Sequence, residues 1–404
     1  EAYVVVGDVQ FGPHQRLRLL AVRDDGTVQY LAGRSGSRAV YVDDVAGPSF
    51  QRIDRIDLVR HQDKGSVVAY RALGGEQQCV VVGLESDCHA MVGRPVLSPN
   101  GSKVAYTAAE NLGALYAIVD GQRTGETHKF IDWRIAVGDQ DLVAYVAQAD
   151  DGGRQVSING KLGAHYEQVR HLTLGSRGNA VAYAARQGST WRLVLGTSPQ
   201  KPVQGEIKKV ALGSTEANWA VVIQGESGTR VVTPRGEGAW YRSVNWLTLR
   251  HDGNAVAYVG QTKTGFVAVF GESVSEPYDE IGDLGFLAGG GTAYVARRET
   301  EWFVVTSSAE GTNRALGPYD DVGPEQIIAG TKQHNYTTSP DGTRLVFRAR
   351  VGPQWRAVID GVEGPLYDEI WGAPFAFEPD GAHVGYLART GSELWWRVQA
   401  PPPR

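Results

Sequence analysis

Three pairs of acidic residues, each directly after a tyrosine, form the most regular polar pattern in the sequence. The segments are Tyr278-Asp279-Glu280, Tyr319-Asp320-Asp321 and Tyr367-Asp368-Glu369, with a weaker copy at Tyr166-Glu167. Carboxylates repeated along one rim would suit Ca²⁺, because hard cations prefer several oxygen ligands. The alternative is structural: the tyrosine packs at a joint between repeats, and the aspartate caps a turn or pairs with an arginine. Since every repeat needs the same joint, we favour the structural interpretation and keep Ca²⁺ binding as the second.

The only two cysteines, Cys79 and Cys88, flank a short apolar run. The segment Val80-Val81-Val82-Gly83 is typical of a strand followed by a turn. The two cysteines would then face each other across a hairpin, which suits a disulfide in an oxidising compartment. Two half-buried thiols are the equal alternative, and the sequence leaves the choice open.

Signatures of other chemistry are absent from the sequence. It contains no Cys-x-x-Cys or His-Glu-x-x-His zinc motif, no Gly-x-Ser-x-Gly elbow, and no Lys-Ser/Thr after Gly289-Gly290-Gly291. The net charge of −5 argues against nucleic acid as the partner. No apolar stretch approaches the 18 residues of a membrane-spanning helix, so we expect no membrane insertion.

The strands and turns that must position these residues are predicted from an internal repeat in the sequence. A turn, usually containing glycine, is followed by a short apolar strand that usually ends in an aromatic residue. Ten such strands end at Tyr30, Tyr70, Tyr106, Tyr145, Tyr183, Val222, Tyr258, Tyr294, Phe347 and Tyr386. Successive copies lie 36 to 40 residues apart, with one interval of 53 residues. A period of roughly 40 residues fits four short strands and their turns, which is the spacing of propeller blades.

We therefore predict an all-β protein, a β-propeller of about ten four-stranded repeats over residues 1–399 with a proline-rich tail at 400–404. A single large ring is favoured, and two smaller rings in tandem are the alternative. The strand at Tyr3-Val4-Val5-Val6 is predicted to supply the fourth strand of the last repeat, because an open array leaves strand edges unpaired. The chain starts at Glu1 and its only methionine is Met91, so we expect either a removed signal peptide or a longer parent chain.

Three turn-and-strand segments resemble a known repeat. They are Ser98-Pro99-Asn100-Gly101-Ser102-Lys103-Val104-Ala105-Tyr106, Ser339-Pro340-Asp341-Gly342-Thr343-Arg344-Leu345-Val346-Phe347 and Glu378-Pro379-Asp380-Gly381-Ala382-His383-Val384-Gly385-Tyr386. They are similar to the TolB-type, WD-repeat-like bacterial propeller repeat. The resemblance implies a periplasmic or extracellular protein that acts as a binding platform or accompanies a separate catalytic domain. Central repeats lack the Ser-Pro-Asp step, as at Gly175-Ser176-Arg177-Gly178.

The long interval indicates an insertion, which we place at residues 323–336. Insertions in repeat proteins emerge as loops on one face, often the binding face. We predict that four of its residues contact a partner, together with one tryptophan that lies off the register of the third strands; these are Ile327, Ile328, His334, Tyr336 and Trp371. A plain surface loop is the alternative. The tryptophans in register, Trp191, Trp302, Trp355 and Trp395 or Trp396, are predicted to pack between repeats, with sugar stacking as the alternative.

The predicted function is a non-catalytic propeller that binds another protein, or the recognition domain of a larger assembly. The first alternative is a propeller-type enzyme, a lyase or glycan hydrolase with residues gathered around the central channel. The second is a lectin that binds a glycan or small ligand.

Overall fold

The computed structural model describes residues 2–402 except 7, 8, 23–26, 62–64, 112, 251, 308–312, 324, 325, 329, 330, 334, 335, 340 and 379. The chain divides into two compact units, Glu1–Ile223 (unit 1) and Gln224–Arg404 (unit 2). The division falls within the strand Trp219–Gly225. Among the described residues, no helix has both the length and the apolar character needed to cross a membrane.

Unit 1 is built from short strands joined by turns. In chain order they are β1 (Ala2–Val6), β2 (Val9–His14), β3 (Leu17–Val22), β4 (Val28–Arg34), β5 (Ser37–Val42), β6 (Val45–Ala46), β7 (Arg52–His61), β8 (Gly65–Gly74), β9 (Gln77–Val82), β10 (Glu85–His89), β11 (Met91–Val92), β12 (Val96–Leu97), β13 (Val104–Ala109), β14 (Leu115–Val119), β15 (Gln122–His128), β16 (Ile131–Val137), β17 (Val143–Gln148), β18 (Arg154–Ile158), β19 (Lys161–Leu162), β20 (Gln168–Leu174), β21 (Val181–Gln187), β22 (Thr190–Leu195), β23 (Ser198–Val203), β24 (Glu206–Leu212) and β25 (Trp219–Gly225).

Unit 2 continues the same pattern. Its strands are β26 (Gly228–Thr233), β27 (Gly236–Glu237), β28 (Val244–Leu249), β29 (Val256–Gln261), β30 (Phe266–Phe270), β31 (Ser273–Val274), β32 (Glu280–Phe286), β33 (Thr292–Arg298), β34 (Glu301–Ser307), β35 (Asn313–Tyr319), β36 (Asp321–Val322), β37 (Gln326–Ile328), β38 (Thr331–Gln333), β39 (Thr337–Thr338), β40 (Leu345–Val351), β41 (Gln354–Ile359), β42 (Val362–Glu363), β43 (Glu369–Phe377), β44 (Val384–Thr390) and β45 (Glu393–Gln399). A 3₁₀ turn, Ala288–Gly290, precedes β33.

Consecutive strands pair antiparallel into up-and-down sheets. Unit 1 holds the sheets β3–β6, β7–β10, β11–β15, β16–β19 and β20–β23, and unit 2 holds β28–β31, β32–β35, β43–β45 and a sheet formed by β36 and β39–β42. Four strands in sequence order, repeated along the chain, are the architecture of propeller blades. The prediction of an all-β propeller fold is confirmed at that level; the number of rings stays a prediction.

The core lies between successive sheets rather than inside any one of them. The second strand of a repeat is buried on both faces, as in β21, where Val181 to Ala185 are all buried. Tyr183 and Val194 of that sheet pack against Val146 and Val156 of the preceding one. Because each sheet is covered on both sides, its inner strands are continuous apolar runs rather than alternating ones. The sequence motif that marks the repeat is therefore the buried second strand.

The N-terminal strand pairs with a strand that the sequence analysis did not predict. β1 pairs with β2, with Val4 opposite Phe11, in a two-stranded sheet, while the last sheet, β43–β45, has three strands among the described residues. The His14 ring at the end of β2 lies 3.3 Å from the Tyr30 hydroxyl of the next sheet. His128 at the end of β15 meets Tyr145 in the same way. A strand has two edges, so the addition of β1 to the last sheet stays a prediction.

Candidate anion-binding site

A bulge interrupts the first strand of several sheets in unit 1 and exposes polar residues there. The register shifts between Ile53 and Ile56 in β7, between Ile131 and Ile135 in β16, and between Arg170 and Thr173 in β20. An extra residue bends the strand and redirects its side chain. The bulges thereby place Asp54, Asp132 with Arg134, and His171 off the regular ladder.

These first strands lie side by side, because β12 contacts β7 and β16, and β20 contacts β16 and β24. Together with Arg71 of the second strand β8 and Arg94 between β11 and β12, they carry six basic side chains that we call the basic surface: Arg71, Arg94, Arg134, Arg170, Lys208 and Lys209. Three carboxylates, those of Asp54, Asp132 and Glu206, lie among them. Among the side chains that the structure describes, positive charge therefore exceeds negative charge here, although the whole chain carries −5.

A cavity of about 560 Å³ opens within the basic surface. Its lining combines three guanidinium groups with apolar side chains and a single carboxylate: Arg71, Gln78, Met91, Val92, Gly93, Arg94, Val96, Asp132, Arg134 and Ile135. The volume lies in the range of pockets that hold small ligands or anchoring side chains. Three guanidiniums around one cavity suit an anion with planar oxygens, because arginine binds carboxylate and phosphate through paired N–H donors.

Hydrogen bonds fix two parts of the cavity wall. Arg71 donates from Nε and Nη2 to Oδ2 of Asp54, at 2.9 and 2.6 Å. Burial acts to raise the pKa of Asp54, but the hydrogen bond and charge of Arg71, with the charge of Arg52, outweigh it and lower that pKa. Gln78 Oε1 accepts the backbone N–H of Val92 at 3.3 Å. The wall between β9 and β11 is thus held by a side chain that itself lines the cavity.

In the other ion pairs of the basic surface, the basic side chains outnumber the carboxylates that they contact. Glu206 accepts from Arg170 at 2.7 Å and from Lys208 at 2.8 Å. Arg134 lies 4.0 Å from Asp132, and its side chain is 88% exposed. A long contact at this exposure contributes little, since exposed ion pairs are worth roughly 0–1 kcal/mol. Arg134 is therefore able to turn toward an incoming anion at small cost.

The positive charges of this surface affect the pKa of His171. It has φ of 55°, which is uncommon outside glycine, at the bulge of β20. Burial lowers the pKa of His171, and the neighbouring Arg170 and Arg134 guanidiniums lower it further. A backbone hydrogen bond of Ile207 and the charge of Glu206 act in the opposite direction and are outweighed.

The sequence analysis missed this surface, although a signal was present. Basic residues recur at the repeat period, at Arg55, Arg94, Arg134, Arg170 and Lys208 or Lys209, separated by 39, 40, 36 and 38 or 39 residues. The repeat was recognised from its buried tyrosines, and the same period was not applied to charged residues. Repetition at the period of the fold places side chains on equivalent positions of successive sheets.

The tyrosine–acid segments occupy joints between repeats. The rings of Tyr278 and Tyr294 meet edge to face at 6.2 Å, and the rings of Tyr367 and Tyr386 at 6.3 Å. Tyr319 packs in the same way on Phe347 at 5.9 Å. These pairs join the end of one repeat to the second strand of the next, as the structural interpretation predicts.

The acidic residues of these segments serve turns and arginines of the following hairpin. Oδ2 of the aspartate accepts a backbone N–H in each: Asp279 from Glu299 at 2.5 Å, Asp320 from Gly352 at 2.5 Å and Asp368 from Gly391 at 2.6 Å. Glu280 pairs with Arg297 and Glu369 with Arg389, while Asp321 accepts the N–H of Val322. Among the described residues, no group of three or more His, Cys, Asp or Glu side chains could hold a metal ion. Ca²⁺ binding stays a prediction.

Cys79 and Cys88 form a disulfide across the hairpin of β9 and β10, where they are directly opposite each other. The sequence left a disulfide and two separate thiols as alternatives, and the structure contains the disulfide. The next pair along this ladder is Gln78 opposite His89. The disulfide thus lies one residue from Gln78, the side chain that supports the cavity wall.

The insertion contains a short hairpin. β37 and β38 pair with Ile327 opposite Lys332 and Ile328 opposite Thr331. His334 lies outside the described residues, as do the side chains of Ile327, Ile328 and Trp371. Tyr336 is partly buried: its ring packs against the core and its hydroxyl donates to the carbonyl of Ala293 at 3.2 Å. Its contact with a partner stays a prediction.

The tryptophans of the third strands differ in exposure. Trp191 and Trp302 are buried, with Arg170 and Arg297 over their rings. Arg348 lies 4.1 Å from the ring centre of Trp355. Trp395 and Trp396 are 43% and 61% exposed on β45. Packing within the repeat structure thus accounts for the first three, and the last two lie on an outer strand.

No protein-family model and no curated protein matches the sequence. Among solved structures, the Dos1 propeller shares 11% identity over 76% of this chain and 90% of that chain, with a TM-score of 0.37. The Cps50 (Swd1) β-propeller domain of Myceliophteria thermophila shares 9% over 63% of this chain and 92% of that one, with a TM-score of 0.32. Dipeptidyl peptidase 4 of Porphyromonas gingivalis shares 11% over 93% of this chain and 65% of that one, with a TM-score of 0.41.

At such identities and TM-scores these likenesses carry no argument about fold or function. The propeller architecture is therefore argued from the strand order alone. Membership of the TolB-type family stays a prediction, since no family model matches.

Proposed function

We propose that this chain is a non-catalytic recognition module that binds an acidic segment of a protein partner on its basic surface. The observation that carries the proposal is the cavity lined by Arg71, Arg94 and Arg134 in a chain whose net charge is negative. A local excess of guanidinium groups against the overall charge favours a specific anionic partner, because the chain as a whole repels one.

Two properties of the surface support a protein partner. The basic residues extend from Arg71 on the second strand β8, past Arg94, over the neighbouring first strands to Lys209, a row longer than one small anion would occupy. Apolar side chains lie between the arginines, as at Met91 and Ile135. Arginine beside apolar area is the composition of protein interfaces, where arginine is enriched.

The test is a charge-reversed variant with a matched control. R94E/R134E changes two basic residues at the cavity, whereas R235E/K263E makes the same change at two exposed turns of unit 2. Binding of a fluorescent oligo-glutamate peptide is measured by anisotropy at several salt concentrations. We expect the wild type and R235E/K263E to bind alike and R94E/R134E to bind about tenfold more weakly, with a shallower salt dependence.

Two results would contradict the proposal. One is a wild type that does not bind the peptide. The other is an equal loss in both variants, which would mean that only net charge matters. Capture of native partners from the source organism, compared between the same two variants, then identifies the physiological ligand.

The second part of the proposal concerns the cellular compartment of the protein and the number of propeller rings. The Cys79–Cys88 disulfide supports a periplasmic or extracellular location, because such bonds persist in oxidising compartments. The regular repeat supports a single ring of about ten blades as the platform, with two rings as the alternative. Small-angle scattering tests the ring number, since one wide ring and two linked rings differ in maximum dimension.

A further inference from the structure

The cavity of the basic surface has two chemically distinct linings. Met91, Val92, Val96 and Ile135 supply apolar walls, and Arg71, Arg94 and Arg134 supply positive charge. Both kinds of side chain line the same cavity of about 560 Å³. A ligand that fills the cavity must therefore satisfy both linings at once.

Simple ligands satisfy only one lining. An oligo-acidic segment would pair with the guanidiniums but leave the apolar walls against water or charge. An apolar side chain would cover the walls but bury arginines without partners, which is costly because a charge in an apolar contact needs a counter-charge. An apolar group with a carboxylate one or two bonds away fulfils both conditions.

We propose that the cavity captures the C-terminal residue of a protein partner, with an apolar side chain against Met91, Val96 and Ile135 and the α-carboxylate on Arg94 and Arg134. This rests on the proposed function and names the anchor within it. In a C-terminal residue, the side chain and the carboxylate share one Cα, so a single residue presents both groups to the cavity. A C-terminus also has no onward chain to accommodate beside the wall that the Gln78 bond to Val92 holds in place.

The role of each arginine follows from its present contacts. Arg71 already donates two hydrogen bonds to Asp54, so it contributes positive charge near the ligand rather than a new ion pair with it. Arg134 is exposed and lies 4.0 Å from its carboxylate, so it is the group best placed to move onto a ligand. Arg94 is exposed at the cavity on the segment that follows β11 and already interacts with another group of the protein, so a ligand carboxylate must add to that contact or replace it. Free C-terminal carboxylates are recognised elsewhere by converging N–H donors in the same manner.

The experiment compares ligands that differ in one feature each. The probes are a short Gly-Ser peptide ending in leucine with a free carboxylate, the same peptide amidated, the same peptide ending in glycine, and hexanoate. Isothermal titration is used with the wild type, R94Q/R134Q, M91Q, and the control R235Q/K263Q. We expect the free leucine peptide to bind, and the amidated and glycine-ended peptides to bind about tenfold more weakly.

The variants separate the two linings. R94Q/R134Q should lower the affinity for the free acid to that for the amide, M91Q should reduce the preference for leucine over glycine, and R235Q/K263Q should change neither. Equal binding of acid and amide would overturn the inference. So would binding of hexanoate as tight as that of the peptide, which would make a free carboxylic acid the ligand.

Failure of the inference and failure of the proposed function give different results. If oligo-glutamate binds and no C-terminal peptide does, the proposed function stands and the anchor assignment is wrong. If neither binds, both are wrong.

Discussion

Replacing Asp54 by asparagine should weaken folding and strengthen anion binding at the same time. Asp54 receives two hydrogen bonds from Arg71, at 2.9 and 2.6 Å, and the two side chains are 24% and 33% exposed. A charge-assisted hydrogen bond is worth roughly 1.5–3 kcal/mol when buried, while exposed pairs give roughly 0–1 kcal/mol. Because this pair lies between those limits and asparagine keeps one oxygen, we expect D54N to cost about 1 kcal/mol of unfolding free energy at pH 7.

The loss should depend on pH in a defined direction. The pKa of Asp54 is lowered in the folded state, because the effects of Arg71 and Arg52 exceed that of burial. A carboxyl group whose pKa is lowered on folding stabilises the protein above its ordinary pKa near 3.8 and loses that effect as the pH falls. Urea unfolding of the wild type and D54N should therefore differ at pH 7 and converge toward pH 3.

The same change removes the carboxylate that competes for Arg71. D54N should bind oligo-glutamate several-fold more tightly than the wild type. D252N is the matched control, since Asp252 also pairs with an arginine, Arg250, at 2.7 Å but lies in a turn of unit 2. It should lose stability without gaining affinity. Equal affinity of D54N and the wild type, or equal stability at pH 7, would refute the reasoning about this pair.

Three further predictions concern stability and the insertion. His128 is buried against Tyr145, and burial lowers its pKa. The free energy of unfolding should therefore decline as the pH falls below about 6.5, because the histidine of the unfolded chain takes up the proton first. H128F should show a smaller decline in urea titrations between pH 7 and pH 5. Removal of residues 1–7 should lower the melting temperature, because β1 and β2 cover the first sheet through Val4, Phe11 and Tyr30; an unchanged melting temperature would count against any closing role of β1. Replacing residues 324–335 by a short Gly-Ser turn should leave the melting temperature nearly unchanged, because Tyr336 stays in the core, yet reduce capture of a native partner; capture at full yield would show that the hairpin has no part in binding.

The fold was largely predictable, because the features that specify it are local and repeated. The strands ending at Tyr145 and Tyr183 are buried on both faces, and such continuous apolar runs between glycine turns are visible in one sequence. The role of Asp279 at a turn also followed from repetition, since a residue needed at every joint recurs with the period.

Other features depend on pairings that a sequence does not display. Val9–His14 contains Gly12-Pro13, which is typical of a turn, so β2 and its pairing with β1 were not predicted. The packing of Tyr336 against the core was not predicted either, because its hydrogen bond to Ala293 spans 43 residues.

The basic surface was not predicted from the sequence for a related reason. Arg71 comes from a second strand, Arg94 from an irregular segment and Arg134 from a bulge, so their meeting depends on how neighbouring repeats align. The one sequence signal was the recurrence of basic residues at the period of the repeat.

Hydrogen–deuterium exchange with and without a bound partner tests most directly whether the basic surface is the recognition site. With oligo-glutamate or a captured native partner present, exchange should slow in residues 91–97, 131–137 and 168–174, which carry the cavity wall and the neighbouring first strands. The R94E/R134E variant should show no such slowing. Protection confined to the hairpin at 326–333 or to the outer strand at 393–399, with the first strands unchanged, would contradict the account.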